Sequence, residues 1–251
     1  MKDIRGSLRH LPRARAPWYW PILRKEFRWT IKPSPGPHPL RRCIPLGIII
    51  RDILGYTSSM REARRVLSEG KVEIDGKIVK DYKYPVGLMD VVHIKPTKEY
   101  FRVMPHPQKF LWLHPIDEKE AEFKLCRIEN KTMVKGGHLQ LNFHDGRNYL
   151  IRLANPMDPV EDVYKTLDTV KLAVPRQEIL DHVKLEKGVL VYIIDGTHVG
   201  TIGRVEEIKQ VFKRRKAAVI VADKNGGKKA TILDYVFAIG KDKPLISLPE
   251  W

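Results

Sequence analysis

Apolar positions along this chain follow two periods. Between Ile44 and Gly70 they recur at helical spacing. Leu46, Ile49, Ile50, Ile53 and Leu54 share one face, with Pro45 suited to the first helical position and Gly55 as the stop. A second helix is expected from Ser59, which forms an S-x-x-E capping box with Glu62, to Gly70. Met60, Ala63, Val66 and Leu67 make its apolar stripe, while Arg61, Arg64, Arg65 and Ser68 repeat at i, i+3, i+4, i+7 opposite. The period then shortens to two. Val72 and Ile74, an Asp75-Gly76 type I′ turn and Lys77-Ile78-Val79 predict a hairpin, and Leu88–Ile94 predicts a closing strand.

The rest is patterned for strands. After Ile94, Pro96, Pro105, Pro107 and Pro115 punctuate a linker and docking region, with Phe110–Leu113 as a short strand. Residues 123–176 predict a small β-rich unit with strands near 123–128, 138–143, 148–151 and 168–174. Asp158 and Glu161, near Asp162, read as acidic residues opening a helix rather than as an acid–base pair. A second β unit spans 183–240, with strands at 188–194, at 217–222 and within 230–239. Between the first two, Gly196, Gly200 and Gly203 suit tight turns and close backbone approach. No GK[ST] follows these glycines and they lead into a strand, which excludes a phosphate-cradling loop. The tail from Gly240 holds too few apolar residues for a core.

Charge changes this picture. The formal net charge of the 251 residues is +16, which predicts a polyanionic partner. Residues 1–42 hold 11 Lys/Arg against 2 Asp/Glu, a net of +9. This segment cannot bury a core alone and is expected to be extended in isolation. Its cations include Arg5, Arg9, Arg13 and Arg15, then Lys25, Arg28 and Lys32, then Arg41 and Arg42. They are interleaved with Trp18, Tyr19, Trp20, Phe27 and Trp29. Arginines suit phosphates, and rings such as Trp18 can stack on bases or latch onto protein; both uses are expected here. The arginine stripe at 61, 64 and 65 repels itself, so its use lies outside the helix. Lys71 and Lys77 sit at the base and tip of the hairpin, and two basic turns, Lys213-Arg214-Arg215-Lys216 and Lys228-Lys229, are further candidates for phosphate contact.

Catalytic and metal chemistry find little support. Cys43 and Cys126 are the only cysteines and make neither a disulfide framework nor a metal motif. His138 and His144 lack a third ligand. No cofactor, metal or small-molecule substrate is expected. No apolar run approaches a membrane span, and the basic N-terminus lacks the apolar core of a secretory signal.

The run E-A-R-R-V-L-x-x-G-K-V-x-I-D-G-K-x-V, closed by G-L-M-D-V-V-x-I, resembles the S4-type RNA-binding module. That resemblance implies RNA contact by Ser59, Arg61, Arg64, Arg65 and Lys71. The spacing G-x-x-x-G-x-x-G-x-V resembles the KOW motif of small SH3-like barrels. With KPSPGPHPLRRCIPL and IGKDKPLISLP, the whole chain resembles the S4e family of small-subunit ribosomal proteins, in a form closer to archaeal than eukaryotic members. The expected fold is α+β and multi-domain. A basic, aromatic arm (1–42) precedes an S4-type module (43–95). A linker and central β-rich domain (96–180), a KOW SH3-like barrel (181–240) and a tail (241–251) follow. The resemblance implies a cytoplasmic structural constituent of the small subunit, bound to the 5′ region of its rRNA and to neighbouring ribosomal proteins. Two alternatives are an S4-containing RNA-modifying enzyme, for which no catalytic constellation is found, and a KOW-type elongation factor, which would carry no S4-type module.

Overall fold

The computed structural model describes residues 9–153, 155, 160–209, 217–223 and 226–249. The N-terminal segment is anchored by its aromatics. β1 (Leu11–Pro12) pairs with β2 (Trp29–Thr30), and the Arg13 guanidinium closes the intervening loop on the carbonyl of Ile22. Tyr19 and Trp20 are buried; the Tyr19 hydroxyl and the Trp20 indole N–H both donate to the Cys43 carbonyl, at 2.9 and 2.8 Å. Trp18 and Phe27 remain exposed.

β3 (Cys43–Pro45) leads into α1 (Leu46–Ile48), which continues as a π-helical turn over Ile49–Ile53. The sequence predicted one regular helix with Pro45 at its first position. Pro45 instead caps it with extended backbone, because it is still paired with Pro85 in the ladder to β6. The wider turn closes through Leu54 N–H to Ile49 C=O, and Gly55 ends it at φ +69°. Gly47 and Ile48 are buried beside the predicted face, so α1 is enclosed on all sides.

α2 (Met60–Ser68) has the expected capping box: Glu62 N–H donates to Ser59 Oγ, and the Ser59 N–H donates to the Glu62 carboxylate. Ala63 and Leu67 are fully buried, with Met60 and Val66 packed beside them. β4 (Val72–Ile74) and β5 (Lys77–Ile78) flank Asp75 and Gly76, both at positive φ (50° and 70°), as a type I′ turn requires. After β6 (Pro85–Gly87), β7 (Val91–Ile94) is shorter than the closing strand expected from Leu88, since Met89 turns at φ 65°.

The segment expected as a linker is instead a long hairpin, β8 (Glu99–His106) and β9 (Phe110–Ile116), which extends the antiparallel sheet to the order β5-β4-β7-β8-β9. Val103, Met104, Leu111 and Leu113 bury on it, which is apolar area a linker would have left in water. α3 (Glu118–Ala121) is a single turn. A second antiparallel sheet follows: β10 (Phe123–Met133), β11 (Leu139–Phe143), β12 (Asn148–Ile151), β13 (Thr169–Ala173) and β14 (Ile179–Val183), in the order β12-β11-β10-β13-β14. Asp158 lies outside the described residues; among the described ones no helix follows, residues 160–162 being in turn or irregular backbone, and Asp162 pairs with Lys131.

A third antiparallel sheet comprises β15 (Leu190–Ile193), β16 (Ile202–Lys209), β17 (Ala218–Asp223), β18 (Lys228–Ile232) and β19 (Val236–Gly240), in the order β18-β17-β16-β15-β19. Gly196 and Gly200 turn at φ +87° and +83°, and a Cβ on Gly203 would lie 2.3 Å from the Ala222 carbonyl oxygen. Alternate residues of β15 and β19 serve two cores. Val191, Ile193, Val236 and Ala238 join the sheet's own core, whereas Tyr192, Phe237 and Ile239 pack into the large N-terminal one. The period-2 pattern thus welds the C-terminal sheet to the rest of the chain.

Candidate nucleic-acid interface

The arginines of α2 stand on a face the helix does not use for packing. Arg61, Arg64 and Arg65 are all exposed. Arg61 has no ionic partner among the described residues. Arg64 lies over the Tyr82 ring, 4.2 Å from its centroid, and donates to the Tyr82 hydroxyl at 2.9 Å. Arg65 pairs with Glu69 at 3.2 Å. Ser59 is occupied as the cap, so its hydroxyl orders the helix start rather than standing open to a ligand. The Ser58 backbone N–H and hydroxyl, with those of Ser59, hold the Glu62 carboxyl below the usual carboxylate range.

Other candidate cations divide into exposed and internally matched groups. Arg9, Lys25, Arg28 and Arg41 are exposed on the N-terminal segment, as is Lys77 at the hairpin tip. Lys32 faces the groove beside α2. Arg13 is spent on the Ile22 carbonyl, and Arg15 is half-buried. Arg42 pairs with Asp195, tying the N-terminal segment to the turn after β15. Lys71 pairs with Glu69, Lys228 with Glu206 and Lys229 with Asp223. Trp18 is 71% exposed. Arg5 and the run Lys213–Lys216 lie outside the described residues.

Beneath this surface lies a buried ionic cluster that sequence reasoning missed. Lys124, 1% exposed, extends from β10 to Asp75 and Asp145, 3.0 Å from each, and to Asp90. Arg147 contacts Asp75 and Asp145, and His38 Nε2 lies 3.0 Å from Asp90. Asp75 also accepts from the Val91 N–H, which fixes the hairpin turn against β7. Burial works against every charge here. For Asp90, His38 and Lys124 overcome it, and for Asp145 Lys124 does so; both carboxyls are held below their usual range. For Lys124 the three aspartates outweigh burial and hold its ammonium well above the usual lysine range. The cluster joins the N-terminal segment, the first sheet and the second sheet. It therefore ties the β4–β5 hairpin turn to the second sheet and to the N-terminal segment. Among the described residues no group of three or more His, Cys, Asp or Glu side chains is arranged to hold a metal. His138 accepts from the Leu153 N–H, and His144 bonds to backbone.

Three family profiles match in tandem: the RS4NT domain over residues 5–41, the S4 domain over 50–92 and ribosomal family S4e over 97–179. The chain is 55% identical over 245 residues to the small ribosomal subunit protein eS4 of Staphylothermus marinus, covering 98% of this chain and 97% of that protein. It is 51% identical to the protein of the same name from Ignicoccus hospitalis, over 100% of this chain and 98% of that one. The crystal structure of the 30S ribosomal protein S4e from Thermoplasma acidophilum superposes with a TM-score of 0.66 at 32% identity, over 80% of this chain and 96% of that one. The S4 match falls on α2 and its hairpin, and relatives align from end to end: the chain belongs to ribosomal family S4e.

Proposed function

We propose that this chain is a structural, non-catalytic constituent of the small ribosomal subunit in the cytoplasm. It binds small-subunit rRNA, in its 5′ region, through α2 and the basic N-terminal segment, and neighbouring ribosomal proteins through its remaining surface. The observation that carries this reading is the arginine stripe of α2, which is held by a capping box, exposed, and set within an S4 domain. In this reading residues 1–42 act as an RNA-binding arm, 43–95 as the RNA-binding module, 96–180 as the β8–β9 hairpin and a central β-rich domain, and 181–240 as a KOW-type barrel; the tail expected on the surface instead returns to the N-terminal core, where Ile246 is buried with Leu245 and Leu248 packed beside it. Arg5 and Lys213–Lys216 extend the basic surface. Cations already matched internally, such as Arg42 and Lys229, contribute less than the exposed ones, because binding would first have to break their pairs.

Neutralising RNA phosphates releases counterions, at about 0.7–0.9 log units of salt dependence per phosphate. Changing Arg61, Arg64 and Arg65 together to Ala should weaken binding to small-subunit rRNA at least tenfold and lower the salt slope by roughly two units. A salt titration of binding by the wild type and the triple variant measures both. Equal affinity and slope in the two proteins would remove α2 from the site.

A further inference from the structure

We propose that the groove between the N-terminal segment and the start of α2 binds an unpaired stretch of RNA, with one base stacked on Trp29. This rests on the RNA-binding reading and adds the strand state of the RNA and the subsite that recognises it.

The groove encloses about 910 Å³. That lies near the top of the range for small-ligand sites, so it has room for more than a single small molecule's worth of chain. Trp29 stands on its wall and is 50% exposed, whereas Trp20 of the same segment is buried and hydrogen-bonded. The Trp29 ring has His10 5.5 Å away and the Arg28 guanidinium 5.3 Å away. An exposed indole flanked by a guanidinium and an imidazole is a platform for a nucleobase. Across the groove, Tyr82 holds the Arg64 guanidinium in place while leaving it exposed, and Lys83 lies 5.6 Å from the same ring. Five Lys/Arg side chains border the groove (residues 9, 32, 51, 64 and 83) against Glu26 and Asp52, a net of +3 with His10 neutral. Thr57, 7% exposed, lines it too, and its hydroxyl has no hydrogen-bond partner among the described residues.

This combination suits a single strand. A duplex shuts its base faces inside the stack and offers phosphates, so an indole between two cationic walls would gain nothing from it. Arg61 and Arg65 do not line the groove; they stand on the outer face of α2, where a helix backbone can lie. The two faces of the site thus divide RNA by strand state.

The test uses the full chain and two labelled RNAs, an unstructured single strand of about ten nucleotides and a duplex of the same length. Affinity is read by fluorescence anisotropy at fixed salt. Trp29→Ala should weaken single-strand binding about tenfold or more and leave duplex binding unchanged, while Trp29→Phe, which keeps a ring, should retain most of it. Arg61→Ala with Arg65→Ala should do the reverse, weakening the duplex more. Equal effects of Trp29→Ala on both RNAs, or none on either, would overturn the groove. So would displacement of the single strand by poly-glutamate as readily as by RNA, which would mark an acidic-peptide site. Wild-type binding of the duplex alone would overturn the groove and spare the reading beneath it; binding of neither RNA would overturn both.

Discussion

Replacing Lys124 with methionine should cost about 3–5 kcal/mol of folding stability, the range for removing one partner from a buried ionic group. The ammonium is surrounded by Asp75, Asp90 and Asp145, each 5% exposed or less at the side chain. Without it, three buried carboxylates would share one arginine, Arg147, and His38. The chain would have to protonate them, admit water or separate the two sheets they join. The shift in denaturant midpoint at constant slope measures the loss. Adding Asp90→Asn to Lys124→Met should recover part of it, because one uncompensated charge is removed; a double-mutant cycle reads that coupling. A loss below about 1 kcal/mol for Lys124→Met would mean that the cluster is solvated and does not fix the sheets.

Acid should destabilise the fold well above the carboxylate range, and His144 should carry the largest share. Its Nδ1 accepts from the Arg127 N–H at 3.1 Å, so the neutral ring donates from Nε2 to the Leu88 carbonyl at 3.2 Å. Protonation would set two N–H groups against each other at Nδ1. Burial pushes its pKa down from 6.5 to about 4. The folded-state pKa is depressed, so the stabilisation is complete above pH 6.5 and is lost as pH falls towards 4: the unfolded chain binds a proton that the folded chain refuses. The difference between 6.5 and about 4 corresponds to a loss of about 3 kcal/mol over that window. His106 and His114 shift in the same direction through burial, so the His144 part is the difference between wild type and His144→Phe in stability measured from pH 7 to 4. Identical pH profiles for the two proteins would show that His144 accepts its proton without penalty. Asp90 and Asp145 act later: their contributions are present above about pH 4 and fall away only below it.

The parts of the interface that sequence made legible are those specified by neighbours in the chain. The capping box needs only Ser59 and Glu62, and the type I′ turn only Asp75 and Gly76; both form as their spacing predicts. The stripe at 61, 64 and 65 follows from helical period alone. What sequence hid depends on distant partners. Lys124 sits in a strand whose alternation predicted a polar outward position, yet its ligands are at 75, 90 and 145. β10 is buried on both faces because it packs its own core with Cys126 and Ile128 and the N-terminal core with Leu125. Prolines suggested a linker over 95–123, but Pro105 and Pro115 tolerate strand geometry opposite Leu111 and Phe101. Likewise, Arg42 and Lys229 read as open cations until the fold supplies Asp195 and Asp223. Trp29 and Trp20 are indistinguishable by composition; only the hydrogen bond to Cys43 separates the buried ring from the open one.

The measurement that bears most directly on a structural role in the small subunit is a sucrose-gradient profile of native lysate probed for this protein, repeated after a high-salt wash. A stably integrated constituent held by many phosphate contacts and buried protein surface stays with the small-subunit peak through the wash. Recovery only at the top of the gradient, in either condition, would contradict that role.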